Sequence, residues 1–415
     1  MLVYVISKDG GALMPTTPRK ARLLLREKKA KVVKRTPFTI QLLFGSSGYK
    51  QEIILGIDAG SKIIGLSATT EKQEVFSAEV QLRTDIVDLL STRRENRRTR
   101  RNRLRYRKPR FLNRVSSKNK GWLAPSVQNK IDTHLKIVEK LYKILPITRI
   151  IVEVASFDIQ KIKNPSIQGK EYQQGEQLDF WNTREYVLFR DGHKCCGKKN
   201  CSHKILNVHH IESRKTGGDS PENLITLCEY CHNDYHSGKL KLSLKRAQSF
   251  RDATFMGIMR MSFYNKLKEL YPNVNLTYGY ITKNTRITND LPKEHRTDAL
   301  CITGNPTTKR LSSHHFIRQV RNHNRQIHKS NILKGCKKKL NQAPYLVHNF
   351  RLFDKVMFEG KECIVFGRRA TGYFDLRKLD GTKIHASAST KKLVLLEAKK
   401  SLIWERRRQG VGVSM

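Results

Sequence analysis

Residues 54–66, ILGIDAGSKIIGL, decide the fold. The run from Glu52 to Asp58 is apolar enough for a buried strand and ends in an acid, and Gly60 with Ser61 supplies a turn into a second strand, Ile63 to Thr69. A third strand is expected at Glu74 to Val80. Farther along, Ile131, Leu135, Val138 and Leu141 recur at helical spacing, predicting a helix over Ser126 to Leu145 that Pro146 ends. A short strand, Arg149 to Ala155, carries Glu153. A strand at Asn275 to Ile281 and a helix beginning near Glu294, which carries Asp298, follow much later. The class is α/β.

Asp58 at a strand end, Glu153 within a short apolar strand and Asp298 near a helix start can converge if their strands are neighbours in one sheet. Convergent carboxylates suit phosphodiester hydrolysis by two magnesium ions about 4 Å apart, one activating water and the other stabilising the leaving oxygen. His295 precedes Asp298 on the same helical face, where it can act on the attacking water or the scissile phosphate. Singly, each of these acids also reads as an ordinary turn, edge-strand or first-turn residue.

Five of the eight cysteines lie between Cys195 and Cys231, a clustering that speaks for metal. Cys228 and Cys231 have zinc-knuckle spacing; Cys195 or Cys196, with Cys201, supplies the facing pair, and His203 is an alternative fourth ligand. Between the pairs lie His209, His210 and Asn223, and just after them His232 and His236. His232 and His236, four apart, share a helical face suited to joint ligation of a second, catalytic metal. His209 and His210 are neighbours on an extended segment, so one can bind that metal while the other faces substrate. His210 is then the general base for water in a one-metal hydrolysis.

From Arg93 to Arg110 there are ten arginines and one lysine against a single glutamate. On a helix Arg93, Arg97, Arg101 and Arg105 form one row, Arg94 and Arg98 another, and Arg100, Arg103 and Arg107 carry the charge around the cylinder. Such a helix suits a place between nucleic-acid backbones, whose phosphates guanidinium forks grip. The whole chain points the same way: 81 lysines and arginines against 36 acids leave a formal charge of +45 on 415 residues, which calls for a polyanion. No apolar run approaches the roughly 20 residues of a spanning helix, so a membrane is not the expected partner. Met1 to Gly10 lacks a secretory pattern, and an intracellular location is expected.

Leu2 to Phe44 reads as a small module, with a strand at Val3 to Ile6, a helix opened by Thr16, Thr17 and Pro18, and a β-rich end from Arg35. Asp158 to Gly175 reads as a linker into the cysteine block, Leu178 to about Lys239. Thr307 to Lys339 is basic and lacks clear periodicity, whereas Tyr345 to Leu396 alternates apolar and polar residues between turns, predicting a small β-barrel.

In this order the parts resemble the IscB family, transposon-encoded RNA-guided nucleases related to the type II CRISPR effector. Leu13-Met14-Pro15 is similar to the family's P-L-M-P signature, with Ala12 in place of the first proline; residues 54–66, 150–154 and 295–299 resemble the three RuvC motifs. Arg93 to Arg110 resembles the bridge helix, and His209, His210, Asn223 and His232 occupy HNH positions.

The resemblance implies an RNase-H-like RuvC domain split in sequence, an inserted ββα-metal HNH domain and a C-terminal β-rich domain facing the flanking DNA motif. Expected boundaries are 1–47 for the PLMP-like domain, 48–92, 115–175 and 241–306 for the RuvC parts, 93–114 for the bridge helix, 176–240 for HNH and 307–415 for a basic linker with the C-terminal domain. It further implies Asn223 as the residue orienting the catalytic loop or metal. A guide RNA would pair with one strand of double-stranded DNA; HNH would cut that strand and RuvC the displaced one, in a ribonucleoprotein with one protein copy in a prokaryotic cytoplasm, nucleoid-associated when on DNA. An unguided homing-type HNH endonuclease shares part of this chemistry but has no need of an arginine helix between two halves of another nuclease.

Overall fold

The computed structural model describes residues 2–46, 48–104, 122–154, 182–198, 200–212, 219–242, 244, 251–321, 329–330, 338–339 and 344–408. The fold is mixed α/β in two compact units, Met1–Ala155 with Met259–Met415, and Ser156–Ile258.

The first unit opens with strands Val3–Ile6 (β1), Ala12–Thr16 (β2), Ala30–Lys34 (β3) and Thr39–Leu42 (β4), ordered β2-β1-β4-β3, and helix Pro18–Arg26 (α1). Thr17 caps α1, its hydroxyl accepting from the Lys20 amide at 3.4 Å, and Pro18 takes a first-turn position where no amide is needed. Val3, Val5, Ala21, Ile40 and Leu42 close a small core of this module.

The decisive stretch forms Ile54–Asp58 (β5) and Ile63–Thr69 (β6), continued by Glu74–Gln81 (β7) in an antiparallel meander. Helix α2 runs from Ile86 to Leu104 and so begins before the arginine run rather than at Arg93. Arg105 and Arg107 lie outside the described residues. Helix Pro125–Tyr142 (α3) buries Ile131, His134, Ile137, Val138 and Leu141; Ile137 takes the fully buried place expected of Leu135. Arg149–Val154 (β8) pairs parallel with β5.

The second unit holds helix Thr183–Arg190 (α4), an antiparallel hairpin of Leu206–His210 (β9) and Leu224–Cys228 (β10), and helix Glu229–His236 (α5). The Arg190 guanidinium donates to the carbonyls of Pro221 and Leu224 at 2.8 and 2.9 Å, and Asp191 accepts from the Thr226 amide at 2.9 Å, which fastens α4 to the hairpin.

Helix Arg251–Leu270 (α6) leads on to Val274–Tyr278 (β11), Gly279–Thr288 (α7), His295–Ile302 (α8) and Ser313–Gln319 (β12). Strand β11 ends at Tyr278, short of the expected Ile281, because α7 starts at Gly279. The two-residue strands Lys329–Ser330 (β13) and Lys338–Lys339 (β14) pair with each other. Then come Lys355–Phe358 (β15), Lys361–Arg368 (β16), Tyr373–Arg377 (β17), Lys383–Ser389 (β18), Val394–Glu397 (β19) and Leu402–Arg408 (β20).

One seven-stranded sheet, ordered β11-β8-β5-β6-β7-β12-β20, organises the first unit. Strands β12 and β20 belong to it, which corrects the assignment of everything after 306 to a linker and C-terminal domain. The C-terminal strands form an antiparallel sheet, β18-β17-β16-β15-β19, and no ladder joins edges β18 and β19 among the described residues, so the expected barrel is an open sheet there. Its core is Val356, Phe358, Val365, Phe374 and Leu376.

Candidate functional site

Two glycines of the decisive stretch place a helix directly on the sheet. A Cβ at Gly56 would lie 2.1 Å from the Ala299 carbonyl oxygen, and one at Gly65 would lie 1.9 Å from that of His295. Only glycine lets α8 approach β5 and β6 this closely. The approach brings His295 and Asp298 to the end of β5, where Asp58 stands, while the parallel pairing of β8 with β5 brings Glu153 alongside.

His295 Nδ1 meets Asp58 Oδ2 at 2.7 Å, and this bond raises the imidazole pKa above its ordinary value. Glu153 titrates above the usual carboxylate range, first because it is buried and then because Asp58 is near. Asp298 is raised by the same two causes. Carboxylates that disfavour one another's charge are the donor chemistry that a hard divalent cation takes, but here their oxygens pair with arginines and are not gathered as closely as the cysteine and histidine sets of the second unit.

Two arginines that sequence reasoning passed over complete this site. Arg260, on α6 and 7% exposed, donates from Nε to the Ala59 carbonyl at 2.8 Å, lies 3.1 Å from Glu153 Oε1 and reaches 3.6 Å from Asp58 Oδ1. Arg286 Nε lies 3.1 Å from Asp298 Oδ1. The available signal was a lone cation in the otherwise apolar run FMGIMRMSF, residues 255–263.

In the second unit the sulfurs of Cys195, Cys201, Cys228 and Cys231 all lie within 4.8 Å of one another. Backbone amides point at them: Gly197 and Cys228 donate to Cys195 Sγ at 3.3 and 3.1 Å, and Cys231 donates to Cys228 Sγ at 3.3 Å. Burial opposes the Cys195 thiolate, but the amides outweigh it and its pKa is lowered. Four converging sulfurs bonded by amides fit a tetrahedral metal. Cys196 is exposed and outside the quartet, and the His203 ring packs on Tyr230, so the ambiguity over the facing pair resolves to Cys195 and Cys201.

His209, His232 and His236 bring ring nitrogens within 4.8 Å of one another, forming a second group able to hold a metal. Burial, then the proximity of His232 and His236, lowers the pKa of His209 to about 4, so it offers a neutral, ligating imidazole. His210, next along β9, points elsewhere: its Nε2 is 2.9 Å from Asp219 Oδ1. Asn223 is fully buried, accepting from the Glu212 amide at 2.8 Å and donating to the Glu212 carbonyl at 2.9 Å. It thereby fixes the chain as it leaves β9 just after His210.

On α2 the Arg93, Arg94 and Arg97 side chains are exposed; the helix backbone continues through Arg98, Arg100, Arg101 and Arg103, whose side chains lie outside the described residues.

Residues 3–175 match the family model "RRXRR protein" and residues 194–238 the model "HNH endonuclease". Anaredoxin of Nostoc sp. is 42% identical over 41 residues, which cover 10% of this chain and 54% of that protein. Among solved structures, Streptococcus thermophilus Cas9 in complex with the AGAA PAM is similar at a TM-score of 0.36 and 15% identity, over 50% of this chain and 30% of that one. The Type II-C Cas9 enzyme from Actinomyces naeslundii is similar at 0.25 and 10%, over 61% and 60%. The chain thus spans about half of the curated relative's length and under a third of the first Cas9's.

Proposed function

We propose that this chain, an IscB/Cas9-related RuvC/HNH nuclease by its RRXRR and HNH segments, cuts double-stranded DNA where a bound guide RNA directs it. The observation that carries the reading is the presence of two chemically distinct hydrolytic sets in separate units: Asp58, Glu153, Asp298 and His295 in one, and His209, His210, Asn223, His232 and His236 in the other. The β5–β6–β7 meander followed by parallel β8 and β11 supports a RuvC-type, RNase-H-like reading of the first set. The hairpin and helix β9-β10-α5 support a ββα-metal reading of the second.

Asp58, Glu153 and Asp298 would hold magnesium and His209, His232 and His236 one further divalent ion, which when bound would activate water and stabilise the negative charge of the leaving oxygen. His210 takes the water's proton in the HNH unit; in the tautomer that donates Nε2–H to Asp219, Nδ1 is left to accept it. Asn223 holds the loop behind that histidine. In the other unit His295 orients on Asp58 and faces the same reaction space. Zinc held by the four cysteines would be structural, since four sulfur ligands would leave no open position for substrate.

Guidance is supported by the charge of +45 and by the exposed arginines of α2, which grip phosphates without reading bases. HNH is assigned the guide-paired strand and RuvC the displaced one, with the C-terminal sheet near the flanking duplex motif. No helix among the described residues is long and apolar enough to cross a membrane. The test is to purify the protein with its RNA, sequence that RNA, and offer duplexes that match or mismatch it. Magnesium-dependent cutting that follows the RNA sequence is expected; cutting that ignores it supports direct DNA recognition instead.

A further inference from the structure

Arg260 engages the acid cluster through three groups at once. It sits on α6 with Met259, Phe263 and Leu267, which are fully buried, and goes into the interior with them. Its Nε donates to the Ala59 carbonyl at 2.8 Å, Nη1 lies 3.1 Å from Glu153 Oε1, and Nη2 lies 3.6 Å from Asp58 Oδ1. The bond to Ala59 ties the guanidinium to the backbone just past Asp58, so the charge is fixed where the acids meet. Arg286 is less committed: its side chain is 15% exposed and it meets one acid, Asp298, at 3.1 Å.

The oxygens that Arg260 engages are ones a divalent ion would need. Asp58, Glu153 and Asp298 carry three negative charges when ionised, and Arg260 and Arg286 already offset two of them. Glu153 Oε1 is also crowded by backbone: a Cβ at Gly279 would lie 3.3 Å from it, which leaves little room for a second cation beside the guanidinium. A guanidinium next to a carboxylate typically weakens its hold on a proton by about 10- to 1000-fold. A divalent ion carries twice the proton's charge and meets the same repulsion. The three histidines of the second unit contrast with this, since their ring nitrogens already lie within 4.8 Å of one another and His209 is neutral.

We propose that Arg260 competes with divalent metal for Asp58 and Glu153, and so sets the metal concentration at which the acid cluster comes into use. The proposal rests on the metal-binding reading of that cluster. It fixes the sign of the effect: a residue that arranged the acids for metal would strengthen binding, whereas a competitor weakens it. Removing the charge should therefore tighten metal binding, even as it lowers the stability measured with metal chelated.

The test measures Mn2+ binding to the full chain by electron paramagnetic resonance, in a His232→Ala/His236→Ala background so that the histidine set does not contribute. Asp58→Ala in the same background identifies the share of binding that belongs to the cluster. Arg260→Gln drops the charge but keeps a donor for the Ala59 carbonyl; it should bind Mn2+ about tenfold or more tighter and gain a larger rise in melting temperature from it. Arg260→Lys, whose single ammonium cannot keep all three contacts, should fall between. Affinity in both variants equal to or weaker than that of the chain with Arg260 overturns the competition. Mn2+ binding that needs Asp58 but ignores residue 260 sinks the competition alone, whereas binding that Asp58→Ala leaves unchanged sinks the metal reading of the cluster as well.

Discussion

Arg260 shows what a buried charge does among acids. Its guanidinium joins a backbone carbonyl, Asp58 and Glu153, all of them nearly excluded from water. Taking it away leaves two buried carboxylates facing each other without a counter-charge, a change that typically costs about 3–5 kcal/mol. Arg260→Met should therefore lose about 3 kcal/mol in denaturant unfolding measured with metal chelated, and Arg260→Lys, which keeps the charge but not the fork, should lose less. Stability of Arg260→Met within 1 kcal/mol of wild type would contradict the bridging role. At this scale the sequence marks Asp58, Glu153, His295 and Asp298 only as acids and a histidine at strand and helix ends, each with an ordinary reading of its own, and it is the fold that brings them together, with one direct bond and one ion pair tying Asp58 to His295 and Arg260. Sequence reading fails for Arg260, whose role depends on two carboxylates more than 100 positions away in the chain.

Among elements, the hairpin and helix of the second unit are the most legible in the sequence, because metal spacing and local pairing coincide within one short segment. Cysteine spacing gives the sulfur quartet, and strand alternation separates His209 from His210. Adjacent Cys195 and Cys196 stay ambiguous until packing turns one sulfur inward, against the amides of Gly197 and Cys228, and leaves the other exposed. Among the described residues, Leu227 is the one fully buried aliphatic side chain packed with the sulfurs, so a metal at the quartet would add to the stability of this unit. Elemental analysis should find one zinc per chain at the quartet, and Cys228→Ser or Cys231→Ser should remove it and lower the melting temperature. Cys196→Ser should retain it. Zinc lost equally from Cys196→Ser would place the fourth ligand elsewhere.

Strand β12 illustrates the opposite case. Its sequence, SHHFIRQ, buries only Ile317 deeply, so hydrophobic alternation cannot announce it. Its place in the sheet is secured by pairing with β7 and β20 and by His315, which stacks on Phe76 at 5.5 Å and meets Trp404 edge-on. Such contacts have no local signature. The beginning of α2 at Ile86 was hidden for a related reason, since the arginine run draws attention to a charge boundary that is not a helix boundary.

For the whole molecule, the seven-stranded sheet assembles the Asp58 cluster from segments on both sides of the second unit's sequence, while the histidine set is complete within that unit. Two self-sufficient sites would allow independent cuts, and the charge of +45 favours a polyanionic partner. The most direct test of the account is strand-resolved cleavage of an RNA-matched duplex, each strand carrying its own label, by the wild type, Asp58→Ala and His210→Ala. The wild type should cut both strands, Asp58→Ala only the guide-paired strand and His210→Ala only the displaced strand. Loss of both cuts in either variant, with RNA and DNA binding intact, would contradict the division into two sites.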